Sequence, residues 1–139
     1  MGGVNNVSIT DFVSKLSEEL TNYRRTVIDK VVTEETKKAM KDLVEKTKAT
    51  APVGKRTKHY RDNISSKVST NNDSGAGLNY SELWFVKGSD YRLSHLLNNG
   101  HALRDGGRYS GTGFITKATD EVETAYLENL KKAIENGGR

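Results

Sequence analysis

The chain has 139 residues, of which 34% are hydrophobic and 29% are charged, and its mean hydropathy is −0.71. The formal net charge of +4 is a mild basic excess, which permits contact with nucleic acid or acidic protein surfaces and requires neither. The absence of cysteine excludes disulfides and thiolate metal sites, and no stretch approaches 18 consecutive apolar residues, which excludes a membrane-spanning helix.

The length predicts a single domain over residues 1–139. Its low apolar fraction is typical of a protein that buries part of its apolar surface only when it assembles with other subunits. Residues 1–7 are rich in glycine and asparagine, so we expect them to be disordered and the folded domain to span residues 8–136. The first residues lack a basic region followed by an apolar run, so no signal peptide and a cytosolic product are expected.

A long amphipathic helix is predicted to begin at Ser8 or Thr10, either of which can act as the N-cap, with Asp11 in the first turn. Apolar side chains then recur at the spacing of one helical face. They are Phe12, Leu16, Leu20, Tyr23, Val27, Val31, Ala39 and Leu43. Neither glycine nor proline interrupts residues 10–50, which favours one helix of about 60 Å or two helices that meet near Thr33, with Thr33 capping the second.

This apolar stripe is too long for a small sheet to cover, because a typical strand spans only roughly 20 Å. We therefore expect part of the stripe to contact another subunit or another protein. The expectation fails if the helix folds back on itself near Thr33.

The middle of the chain predicts an antiparallel hairpin. Pro52 ends the helical region, and a basic loop follows over residues 54–61. A strand is predicted over residues 62–70, then a turn over residues 71–77, whose sequence is NNDSGAG. The second strand contains the continuous apolar run Leu83–Val86, and two strands that flank one turn are typical of a hairpin.

Two further helices complete the predicted domain. A short helix is capped by Ser89 or Asp90 and ends at residues 98–100, which are Asn, Asn and Gly. Four glycines in residues 104–113 predict a flexible loop, and a last helix follows over residues 117–134. The prediction is therefore an α+β fold: a long N-terminal helix (intact or broken), a small antiparallel sheet, and a short helix and a C-terminal helix packed on the sheet.

No pattern of residues predicts a catalytic site, a cofactor or a metal ion. His95 and His101 are six residues apart, which is not the spacing of a helical zinc pair, and completion of a metal site by Glu82 and Asp105 is strongly disfavoured. The nucleophile pattern G-x-S-x-G is absent, so a serine hydrolase built on Ser110 is disfavoured too. The glycine-rich segment lacks the G-K-[ST] of a phosphate-binding loop.

A basic cluster in the loop after Pro52, extended by two later arginines, is the most distinctive charged feature. Its candidate contact residues are Lys55, Arg56, Lys58, Arg61, Arg104 and Arg108. Three interpretations stay open: contact with DNA phosphates, docking onto an acidic patch of a partner, and a solvated loop. No signature of a nucleic-acid-binding fold accompanies the cluster.

Two stretches of the chain resemble the minor morphogenesis proteins of siphophages, which are called head–tail joining or tail-completion proteins. The first is Ala51-Pro52-Val53-Gly54, followed by the basic loop and Tyr60–Ile64. The second and more specific stretch is YRLSHLLNNGHA, residues 91–102, followed by Gly106-Gly107-Arg108 and a last helix. The resemblance covers about residues 8–136. Asn98 departs from the acidic residue common at its position, and residues 110–114 lack the proline and histidine often found there.

The resemblance implies a non-enzymatic structural protein of the virion that acts at the head–tail junction as a tail-completion or neck ring subunit, present in the host cytoplasm during assembly. Tail terminator and head-closure ring protein are the alternatives within this class, and a small basic nucleic-acid-binding module is the alternative of another class. The implied partners are other neck and tail proteins, further copies in a hexameric ring and the genomic DNA that passes through it, with no membrane.

The family has no known catalytic residues, so the matching positions are expected to have structural roles. They are Tyr91, Leu93, His95, Leu96, Leu97, Gly100 and His101. The three leucines are expected to pack, Gly100 to turn the chain, and both histidines to be hydrogen-bonded.

Overall fold

The computed structural model describes residues 8–55, 59–69 and 80–137. Its helices are α1 (Ile9–Tyr23), α2 (Asp29–Thr50), α3 (Ser94–Asn99) and α4 (Phe114–Glu135), with a π-helical turn at Arg24–Ile28 and 3₁₀ turns at Tyr60–Asn63 and Gly88–Leu93. Its strands are β1 (Ile64–Val68), β2 (Glu82–Val86), β3 (His101–Ala102) and β4 (Arg108–Tyr109). This order confirms the predicted α+β class. The predictions for residues 1–7 and 71–77 lie outside the described residues.

Helix α1, the π-helical turn and α2 form one uninterrupted helical segment. Ser8 is its N-cap, because the Ser8 hydroxyl oxygen accepts the Asp11 backbone N–H at 3.2 Å. The alternative of two helices that meet near Thr33 is wrong: α2 continues through Thr33, whose hydroxyl donates to the Asp29 carbonyl at 2.7 Å. The irregularity lies earlier, in the π-helical turn. The segment ends because Ala51, which precedes Pro52, has an extended backbone (φ −61°, ψ 137°).

Helix α4 packs antiparallel along α2. The Thr36 and Tyr126 hydroxyls lie 3.2 Å apart, and Lys46 Nζ lies 3.1 Å from the Glu121 carboxylate. Glu121 raises the pKa of Lys46 through this hydrogen bond, although the pair is exposed and stabilises the contact little. The helix begins at Phe114, earlier than predicted, and Phe114 connects it to the core beside the sheet.

Strands β1 and β2 form the predicted antiparallel pair, in register from Ile64 opposite Val86 to Val68 opposite Glu82. Strand β1 begins later than predicted because Asp62 belongs to a 3₁₀ turn, where its carboxylate accepts the His59 backbone N–H at 3.2 Å. The buried core lies where the end of α2, the sheet and the start of α4 meet. It consists of Ala51, Tyr60, Ile64, Val86 and Phe114, with Val44, Trp84, Leu93, Leu97 and Ile115 packed around it.

Helix α1 has no buried residue. Ile9 is 84% exposed, and Phe12 and Leu20 are each 60% exposed. Helix α4, which has 22 residues and is about 33 Å long, packs on α2. The apolar stripe therefore extends beyond the part of the chain that α4 covers. In the described residues no helix combines the length and the apolar character needed to cross a membrane.

A hydrogen bond between Thr47 and Trp84 joins α2 to the sheet. Thr47 is fully buried, and its hydroxyl oxygen accepts the Trp84 indole N–H at 3.0 Å. The same hydroxyl donates to the Leu43 carbonyl at 2.7 Å, so the group is satisfied in both directions. The bond fixes the position of β2 against the last turns of α2.

We expect Thr47→Val to lower the free energy of unfolding by about 1–3 kcal/mol, because it leaves the Trp84 indole N–H without its acceptor. Urea unfolding followed by the fluorescence of Trp84, the one tryptophan in the chain, measures this change directly. The matched control is Thr50→Val. Thr50 makes the same bond to the carbonyl four residues earlier, at 2.7 Å, but is exposed and has no indole partner. Equal losses in the two variants would contradict the assigned role of Thr47.

Candidate functional site

An open, mainly apolar cleft of about 510 Å³ lies beside the core. We call it the end groove, because it begins at Pro52, just after the end of the long helical segment. It is lined by residues from segments 52–55, 59–60, 90–97 and 101–109. These are the two stretches on which the resemblance to phage proteins depends, so the fold brings both of them to one surface.

The glycine-rich stretch forms part of this groove and is not the flexible loop that was predicted. Strands β3 and β4 pair antiparallel, with His101 opposite Tyr109 and Ala102 opposite Arg108. The Leu103 N–H donates to the Gly107 carbonyl at 2.7 Å and closes the turn. Exposed Leu103 on this hairpin and exposed Val53 across the groove give it an apolar lining.

Two glycines allow the hairpin to lie against the end of α3. Gly100 has a φ of +85°, and a Cβ there would lie 2.1 Å from the Tyr109 carbonyl oxygen. Gly111 has a φ of +74°, and a Cβ there would lie 2.5 Å from the Gly100 nitrogen. Backbone atoms thus occupy the space of both side chains. The Thr112 N–H donates to the Leu97 carbonyl at 3.0 Å and holds this close approach together.

Asn98 connects α3 to the start of α4. Its side-chain oxygen accepts the backbone N–H groups of Ile115 at 3.0 Å and Thr116 at 3.2 Å. Gly113 occupies the N-cap position of α4 and has no side chain to accept these bonds, so Asn98 supplies the cap from another element. This role requires an oxygen acceptor, which a carboxylate would also provide. Asn98 stands where the resembling family commonly has an acidic residue, and it keeps the same contact with the start of α4.

Aromatic and histidine side chains line the inner wall of the groove. Tyr60 packs edge-to-face on Phe114 with ring centroids 6.0 Å apart, its hydroxyl lies 2.7 Å from the Ser94 hydroxyl, and burial raises its pKa. The His101 ring lies 5.4 Å from that of Tyr109. The Nδ1 atom of His101 is buried without a hydrogen-bond partner in the described residues, so the hydrogen bond expected for His101 is not made at this atom.

The other positions of the resembling stretch have different environments. Leu93 and Leu97 pack against the core, and Leu96 is half-buried. His95 and Tyr91 are exposed on the surface. No three His, Asp or Glu side chains converge to hold a metal ion in the described parts of the chain. The Glu82 carboxylate accepts the Tyr80 hydroxyl, and Ser110 is exposed.

The structure brings basic residues from two distant segments to one surface. Lys55 and Arg108 line the end groove, whereas exposed Arg61 and Arg104 directly follow the lining residues Tyr60 and Leu103. Arg56 and Lys58 lie outside the described residues. Sequence patterns did not indicate Val53, Leu103 and Tyr109 as lining residues, because no periodicity connects segments that meet only through the fold.

The model of one protein family, described as "Bacteriophage HK97-gp10, putative tail-component", matches residues 14–100. This range covers more than half of the 139 residues and extends from α1 to the C-terminal glycine of α3. No curated protein and no solved structure matches the chain.

We expect Gly100→Ala to destabilise the fold by about 3 kcal/mol or more, because the new methyl group collides with backbone as well as adopting a positive φ. The matched control is Gly106→Ala. Gly106 also has a positive φ, of +93°, but a Cβ there meets no atom within 4 Å. We expect the control to lose only about 1–2 kcal/mol from backbone strain. Urea unfolding of both variants measures the difference, and equal losses would refute the close backbone approach.

Asn98→Ala should lower the free energy of unfolding by about 1 kcal/mol, because two N–H groups at the start of α4 lose their acceptor. Asn98→Asp keeps an acceptor and places a negative charge at a helix N-terminus, so we expect it to retain most of the stability. Thermal or urea unfolding of the two variants at neutral pH provides the comparison. The capping role is excluded if the aspartate variant is as unstable as the alanine variant.

Proposed function

The chain belongs to the HK97-gp10-like family of bacteriophage tail components, and on that basis we propose that it acts where the tail joins the head, as a tail-completion subunit of a ring. Family membership makes it a structural tail component of the virion that interacts with other phage tail and neck proteins. The junction position, the ring and the non-enzymatic role are our proposal. So are the extent of one domain over residues 8–136 and assembly in the host cytoplasm.

The observation that carries the proposal is the uncovered apolar face of α1. Large apolar side chains on a monomer's surface are stabilised when another molecule covers them, and a contiguous patch marks an interaction site. On α1 such side chains follow one another along a single face of the helix. The exposed members of this face are Ile9, Phe12, Val13, Leu16, Leu20 and Tyr23. A protein that works inside an assembly keeps such a face covered.

Assembly into a ring would also use two separate surfaces of the chain, the α1 face and the end groove. A head-to-tail contact joins one surface of a subunit to a different surface of its neighbour, and such contacts close into a ring when the rotation allows. The exposed α1 face and the end groove are two different surfaces, separated along the long helical segment. The number of six subunits remains a prediction from the resemblance.

Contact with DNA is a second proposal that a specific observation favours. Lys55 and Arg108 are exposed in the lining of the end groove, and exposed Arg61 and Arg104 directly follow lining residues in the sequence; cations on one surface suit a phosphate backbone. The same observation supports the alternative of a nucleic-acid-binding module. Phosphate contacts of this kind predict a binding affinity that falls steeply as salt is raised.

A phage that lacks this gene should produce full heads and separate tails that fail to join, because the subunit between them is missing. Electron microscopy of the lysate shows this directly, and a plasmid copy of the gene should restore joined, infectious particles. Tails of irregular length would indicate a tail terminator instead, and heads that have lost their DNA would indicate head closure. Normal, joined and infectious particles would refute the junction role.

A further inference from the structure

We propose that a row of four lysines on α2 contacts the phosphate backbone of duplex DNA. We call it the lysine row, and its members are Lys30, Lys37, Lys41 and Lys48. The inference rests on the contact with DNA proposed above and names a surface for it other than the end groove, whose lining includes none of the four.

The lysine row lies on one side of α2. Its members follow one another at spacings of seven, four and seven residues. At 3.6 residues per turn, these spacings place the four side chains within about 40° of one another around the helix and spread them over about 27 Å of its length. Ala39, which lines the cleft between α2 and α4, lies about 180° from the centre of the row. The row is therefore on the side of α2 opposite to α4.

All four side chains are exposed, and within the described residues none of them forms an ion pair. Lys37 Nζ lies 5.6 Å from the centre of the Tyr80 ring. Lys46, in contrast, lies on another side of the same helix and pairs with Glu121 at 3.1 Å. Lys37 and Lys41 are four residues apart, a spacing at which like charges on a helix repel each other. An anion that lies along the row relieves this repulsion.

The glutamates beside the lysine row reduce its charge without cancelling it. The exposed charged residues of α2 are the lysine row, Lys38, Glu34 and Glu45. Together they carry a net charge of +3, whereas the whole of α2 carries +1 because its half-buried charged residues are mainly acidic. The half-buried charged residues are Asp29, Glu35, Asp42 and Lys46. The positive charge of the helix is thus concentrated on its exposed side.

The composition of the row favours a phosphate backbone over a protein partner. Interfaces between proteins are depleted in lysine and enriched in aromatic residues, methionine and arginine, and the row contains none of these. A phosphate backbone carries charge at short intervals, so cations on flexible stems can contact it without a fixed spacing. The row also lacks the arginine forks that read base edges. Such a contact is independent of base sequence, which suits the passage of a whole genome through the proposed ring.

Fluorescence anisotropy of the full chain with labelled duplex DNA of two unrelated sequences tests this contact. We expect both duplexes to bind with similar affinity. Four phosphate contacts should contribute about −3.6 to the slope of the logarithm of the association constant against the logarithm of the salt concentration. A variant with Lys30→Gln, Lys37→Gln, Lys41→Gln and Lys48→Gln should lose that part of the slope and bind about tenfold or more weakly at about 50 mM salt.

Glutamine forms helices about as well as lysine, so the row variant should keep its fold. Urea unfolding followed by the fluorescence of Trp84 checks this. The matched control removes the same charge from exposed lysines outside the row, and we expect it to keep the full slope. Its substitutions are Lys15→Gln, Lys117→Gln, Lys131→Gln and Lys132→Gln. A third variant, Lys55→Gln with Arg108→Gln, removes the two cations that line the end groove.

Three outcomes would overturn the proposal. Equal weakening of the row variant and the matched control would show that binding follows net charge alone. Weak binding by the groove variant, with the row variant unchanged, would assign the contact to the end groove. Absence of salt-dependent binding by the unaltered chain would leave the lysine row without a phosphate contact. None of these results touches the junction role, which the gene deletion tests separately.

Discussion

The structure depends on a mismatch of length between two packed helices. The segment from Ile9 to Thr50 is about 60 Å long, whereas α4, which packs antiparallel on its second half, is about 33 Å long. Burial of apolar surface stabilises a helix far more than its intrinsic propensity does. The α2 half obtains this burial from α4 and the sheet, and the α1 half does not. In the described parts of the chain nothing covers the apolar face of α1, which leaves that face open to a second molecule.

The covered half is organised around the last turns of α2. Thr47 holds Trp84 of β2, Val44 packs on the core, and Ala51 is itself a core residue. Pro52 then directs the chain away from the helix axis and into the wall of the end groove. Because the same turns support both the core and the groove, substitutions there that change stability should also change the shape of the groove.

Sequence patterns predicted the elements whose formation depends on local periodicity. They failed for the features that tertiary contacts determine. The long helix, the β1–β2 pair and α4 follow from apolar spacing and turn residues. The π-helical turn was not foreseen, although the four-residue spacings between Tyr23, Val27 and Val31 suit a turn wider than an α-helical one. The glycines of residues 104–113 suggested mobility, whereas Gly111 is needed for a close approach to Gly100, which lies earlier in the chain at the end of α3. Asn98 and the groove lining show no periodic signal at all.

The uninterrupted helix fixes where the uncovered face lies. A single helical segment, fixed at one end by the core and capped at the other by Ser8, holds the α1 face at a set distance from the core. The π-helical turn at Arg24–Ile28 lies between the covered and uncovered halves, so a small change in helix direction there would change the orientation of the α1 face relative to the core.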